Sequence, residues 1–144
     1  MIILNKINFL KFIPHRKPFL FVDKIVKFKK KYYLHSKFKI LPENLFFLGH
    51  FPKNPIFPGV LILESMMQSA GILFRISYPN ILKKKINYLT SIKNAKFRKL
   101  VLPNDMLNIK IFFINLHNNF IKFKGFVLVN KFLVCEAIIT IYIK

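Results

Sequence analysis

The sequence predicts an α+β fold in which one long helix is enclosed by antiparallel strands, and three observations carry that expectation. The run "GVLILESMMQSAGILFRIS", Gly59 to Ser77, has apolar residues on nearly every side, as a helix surrounded by protein must. Six stretches of β-branched and aromatic residues flank it. Short clusters of Pro, Asn, Asp, His and Lys separate those stretches and supply turns. With 53% hydrophobic and 16% aromatic residues the chain is too apolar for disorder, and 144 residues suffice for a single domain over 1–144.

Each element has a local reason. Residues 2–11 fit a short amphipathic helix closed by Pro14, and "PHRKPF" from Pro14 is a loop with two prolines. "FLFVDKIVKFK" (19–29) and "KYYLHSKFKI" (31–40) read as strands joined by a lysine-rich turn. Pro42, Pro52, Pro55 and Pro58 argue against regular structure before the helix, where Pro58 has a fixed φ suited to the first turn. After a loop around Pro79, strands are expected over Tyr88 to Phe97, Met106 to Leu116, Phe120 to Val129 and Phe132 to Ile143. "PND" at 103–105, "HNN" at 117–119 and "NK" at 130–131 supply the turns.

Composition narrows the function classes. The apolar C-terminal run "VLVNKFLVCEAIITIYI" is interrupted by Lys131 and Glu136, so no membrane span or membrane partner is expected. The opening residues lack a secretory signal pattern, and the one cysteine, Cys135, suits a reducing, cytoplasmic setting. The net charge of +20 has two readings: lysine enrichment from A+T-rich codons, or attraction to a polyanion or an acidic protein. The basic, phenylalanine-rich composition also raises nucleic-acid binding as a rival function. Its lysines look scattered and no RNP-like, KH or zinc-finger signature accompanies them, so no nucleic-acid partner is expected. There is no HExxH and no Cys/His cluster at ligand spacing, so no metal site is expected.

One segment carries chemistry. In "GHFPKNPIFPGVLILESMMQ", Glu64 falls inside the apolar helix with no lysine or arginine three or four positions away, while Gln68 shares its face at i+4. Such a carboxyl group either finds a distant basic partner or stays protonated, and the protonated form is a usable general acid. His50 precedes a proline-restricted turn, where a neutral imidazole would serve as a base; His15, His35 and His117 have no comparable context. Gly59 opens the helix, where unpartnered N–H groups and the absence of a side chain would let a ligand carbonyl approach, unless it only permits a tight turn.

The block "GHFPKNPIFPGVLILESMMQSAG" resembles the signature of the FabZ-type 3-hydroxyacyl-[acyl-carrier-protein] dehydratases. "PHRKPFLFVDKI", "AKFRKLVLPND" and "FKGFVLVNKFLVCEA" agree in order, so the resemblance spans nearly the whole chain. It implies a hot-dog fold, a homodimer assembled as a trimer of dimers, and an acyl carrier protein bearing the substrate, with no cofactor. It also implies that His50 and Glu64 form the catalytic pair, contributed by opposite subunits, and that Gly59 helps bind the thioester. Glu64 matches the FabZ type, whereas the related FabA type carries aspartate there. "PENLFF" and "PND" depart from the family's N-E-P-F-F and P-G-D. Arg75 and Arg98 are candidate contacts for the acidic carrier.

Overall fold

The computed structural model describes residues 9–81 and 86–144. Six antiparallel strands form one sheet: β1 (Lys24–Lys29), β2 (Tyr33–Lys39), β3 (Asn87–Phe97), β4 (Met106–His117), β5 (Phe120–Val129) and β6 (Phe132–Ile143). Their order is β1-β2-β4-β5-β6-β3, so β3 pairs with β6 and ends up at an edge far from its neighbours in sequence. Among the described residues one long helix, α1 (Gly59–Ser77), lies against the sheet, chiefly over β4 and β2, and this is the hot-dog arrangement.

Alternation explains the layering. On β2, on β5 and on β4 as far as Ile111 every second residue is buried, including Leu34, Ile109 and Phe123. These side chains meet the apolar surface of α1, where Met66, Ala70 and Leu73 are fully buried. Contact is close at Gly125 of β5, where a Cβ would come within 2.9 Å of the Met66 Sδ. The helix also carries serines against the sheet: Ser69 Oγ meets Ser36 Oγ at 2.7 Å and donates to the Ser65 carbonyl at 2.9 Å. The outward residues of β1, β2, β4 and β5 include Lys27, Lys37, Lys110 and Lys124. Lysines that look scattered along the chain therefore gather on one face of the sheet.

Several turns hold asparagine where φ is positive. Asn118 and Asn119 (φ 48° and 64°) close β4 onto β5, and Asn130 and Lys131 (49° and 69°) close β5 onto β6. Two consecutive left-handed residues match the twist of a tight hairpin. Asn104, at φ 73°, shows why "PND" can stand for P-G-D, since asparagine tolerates this region better than other non-glycine residues.

Two expectations need correction. The first strand begins at Lys24 rather than residue 19. The Phe21 N–H and Phe19 carbonyl are taken by the Gln68 side chain, so pairing with β2 starts only at Asp23, whose N–H donates to the Lys37 carbonyl while its carboxylate accepts from the Lys39 N–H. The proline-rich segment holds a short 3-10 helix, Leu45–Leu48, in the gap between Pro42 and Pro52. The expected N-terminal helix lies largely outside the described residues; within them, Leu10–Phe12 form a 3-10 turn that continues past residue 11.

Candidate active site

The segment before α1 is pinned at both ends. His50 N–H donates to the Phe46 carbonyl, Ile56 N–H to the His50 carbonyl, and Phe57 N–H to the Val101 carbonyl. This tight loop orients the His50 ring, whose Nδ1 lies 2.8 Å from the Ile56 carbonyl oxygen. A carbonyl can only accept, so Nδ1 carries the proton and Nε2 keeps its lone pair for other chemistry. The His50–Phe51 peptide is cis, and the two rings stack with centroids 4.1 Å apart.

Glu64 sits one and a half turns into α1, with its side chain only 16% exposed. Burial raises its carboxyl above the usual range, and the hydrogen bond from Gln68 opposes that shift. The Gln68 Nε2 donates to Glu64 Oε1 at 2.9 Å, as the i+4 spacing predicts. Gln68 itself is 1% exposed and its amide orientation is determined by its partners. Its Oε1 accepts from Phe21 N–H at 2.8 Å, while Nε2 also faces the Phe19 carbonyl at 3.1 Å.

The partner that sequence reasoning missed is His15, whose Nε2 stands 3.5 Å from Glu64 Oε1. Burial, then Arg16, then Arg75 lower the His15 pKa. With the acid pushed up and the base pushed down, both shifts disfavour an ion pair at this contact. The available signal was the position of His15 just before Phe19–Phe21, the strip that Gln68 holds against α1. Arg16 closes the same loop by donating to the Leu10, Ile13 and His15 carbonyls.

Gly59 begins α1 with no side-chain cap at Pro58. A Cβ there would come within 2.8 Å of the Phe97 ring, so the absent side chain permits close packing against β3. His50 and Glu64 share no hydrogen bond or ion pair among the described residues, since each has the separate partners given above. A cavity of about 110 Å³, walled in part by Phe12, His15, Met67, Gln68, Gly71 and Arg75, adjoins the Glu64 cluster. Arg75 therefore belongs to an internal wall, whereas Arg98 is 45% exposed and pairs with Glu136 at 3.4 Å. Cys135 is no nucleophile: burial and then Glu136 push its thiol up to about 12.

Comparison with known proteins now bears on this geometry. Residues 13–138 match the model of the FabA-like domain. The chain is 40% identical to a 3-hydroxyacyl-[acyl-carrier-protein] dehydratase FabZ of Buchnera aphidicola over 142 residues, covering 99% of this chain and 93% of that one. This chain belongs to the FabZ-type dehydratase family. A FabZ of Vibrio vulnificus is 41% identical over 125 residues, covering 87% of this chain and 83% of its own. Among solved structures, the ApeI:P dehydratase heterocomplex of Xenorhabdus doucetiae superimposes with a TM-score of 0.76. At 13% identity, covering 93% of this chain and 89% of that one, that likeness concerns the fold. As a member of the FabZ-type family the chain is a hydro-lyase.

Proposed function

We propose that the chain converts 3-hydroxyacyl-[acyl-carrier-protein] to trans-2-enoyl-[acyl-carrier-protein] in type II fatty-acid synthesis, with His50 as general base and Glu64 as general acid. The observation that carries this reading is a pair of groups held for complementary roles. The His50 Nδ1 is engaged by the Ile56 carbonyl, which leaves Nε2 open to act as base, and burial of Glu64 biases its carboxyl toward the protonated form. His50 Nε2 takes a proton from C2, and the freed electron pair forms the C2–C3 double bond as the C3–O bond breaks. Glu64 delivers its proton to the departing hydroxyl, which leaves as water. The resulting imidazolium and carboxylate return to their starting states by proton exchange through solvent. Gly59 N–H, at the uncapped positive end of α1, would stabilise charge developing on the thioester oxygen. The thioester carbonyl already acidifies C2 and no electrons are transferred, so the step needs no metal or redox cofactor.

The pair is completed by a second subunit in this reading. Within one chain His50 and Glu64 have separate partners, and β3 is an edge strand with Tyr88, Leu89, Ile92 and Phe97 each more than a third exposed. An exposed apolar edge favours pairing with another strand, and Val60, 71% exposed at the start of α1, widens the uncovered surface. These features support a homodimer, and the family pattern extends it to a trimer of dimers, in a cytoplasmic setting. The charge of +20 suits an acidic carrier protein, with Arg98 one candidate contact.

The test is dehydration of carrier-linked 3-hydroxyacyl substrates across chain lengths. Glu64→Gln and His50→Ala should each lower turnover by about 10²–10⁴-fold. Mixing the two inactive variants should restore part of the activity through heterodimers. Turnover by Glu64→Gln within about tenfold of the parent would end the acid assignment. A mixture that stays inactive after verified subunit exchange would end the shared site.

A further inference from the structure

We propose that His15 is a positioning residue for Glu64: its Nε2–H joins the Gln68 amide in occupying Oε1, which keeps the acid proton on Oε2, the oxygen left to the substrate. The proposal deepens the function proposed above, and its geometric basis lies wholly within one chain. Gln68 cannot turn its amide round, because its own Oε1 is engaged by Phe21 N–H at 2.8 Å. Its Nε2 therefore donates to Glu64 Oε1, which also faces His15 Nε2 at 3.5 Å. A bare Nε2 would set a lone pair against an oxygen already accepting a hydrogen bond, so the favourable tautomer carries the proton on Nε2. Two donors then converge on Oε1, and a proton on that oxygen would collide with them. Oε2 is the remaining place for it.

Closing the 3.5 Å contact to hydrogen-bond length needs less than about 1 Å of ring movement. The Phe19 ring lies nearly parallel to the His15 ring, with centroids 6.3 Å apart. The groups around His15 are Glu64, Gln68 and Arg75 of α1, Arg16 beside it, and Asn87 of β3 across the small cavity. Burial and both arginines disfavour a second proton on the imidazole, so it stays a neutral one-proton donor. The other ring nitrogen fits this tautomer. Among the described residues His15 Nδ1 is buried with no hydrogen-bond partner, as is Asn87 Oδ1, and both residues line the 110 Å³ cavity. That space is large enough for water, which would donate to a bare Nδ1.

A donor to the carboxyl favours its ionised form, so removing the His15 N–H should raise the Glu64 pKa further. His15→Phe removes both nitrogens and keeps a ring against Phe19, while His15→Gln places an amide N–H near the position of Nε2. Protein labelled with ¹³C-glutamate gives three side-chain carboxyl signals, from Glu43, Glu64 and Glu136. The Glu64 signal should titrate at higher pH in His15→Phe and near the parental pH in His15→Gln. In the dehydration assay His15→Phe should lose about 3–10-fold in kcat, the loss expected for one hydrogen bond. Its KM should stay close to the parent, and the fall of kcat at high pH should move upward. A packing role would leave that limb where it is. If the parent shows no dehydration, the proposed function fails while the titration still decides the role of His15. A Glu64 curve that superimposes on the parent in His15→Phe overturns the proposal. Should that variant not fold, ¹⁵N spectra of the parent decide it: Nε2–H supports the assignment, and Nδ1–H overturns it.

Discussion

Replacing Gln68 by leucine separates the amide's structural and chemical roles in one substitution. Leucine nearly fills the same volume, so the cost is in unmade hydrogen bonds rather than in a cavity. The buried Phe21 N–H loses its acceptor, which costs about 1–3 kcal/mol. The part-buried Phe19 carbonyl loses its donor, costing about 0.5–1.5 kcal/mol more. The sum, roughly 2–4 kcal/mol, corresponds to a urea midpoint lower by about 1–2 M at a slope near 2 kcal/mol/M. Parent and variant are compared at one protein concentration, because subunit association contributes to the apparent stability. The chemical effect has its own sign. The Gln68 hydrogen bond lowers the Glu64 pKa, so its loss should shift the high-pH limb of dehydration upward while kcat falls. A midpoint within about 0.3 M of the parent would refute the claim that Gln68 ties the 19–21 strip to α1.

Two further outcomes are expected. Because the Glu64 pKa is raised on folding, the folded chain holds more protons than the unfolded chain between the unfolded and folded values, and stability falls as pH rises through that window. Glu64→Gln removes this dependence, so its denaturation midpoint should gain on the parent as pH rises through that window. Ser69→Ala should cost about 1–3 kcal/mol by leaving the Ser36 hydroxyl buried without its partner. Adding Ser36→Ala should recover part of that loss in a double-mutant cycle by urea denaturation.

By itself, the sequence determined what depends on neighbours along the chain. Gly59–Ser77 is legible as a helix because its side chains surround it and Pro58 sets its start. The hairpins are legible because Asn118–Asn119 and Asn130–Lys131 accept left-handed dihedrals. The link from Gln68 to Glu64 follows from helical spacing alone, and the His50 segment shows its constraint in its prolines. Only the tertiary structure decided which distant groups compete for the same hydrogen bonds. Residues 19–21 have strand-forming side chains, yet Gln68, some 47 positions away, takes backbone groups that a strand would use. His15 faces Glu64, Ser36 meets Ser69, and β3 crosses to the far side of β6 for a related reason. Such pairings are set by how the sheet curves around α1, and residue order does not encode that curvature locally.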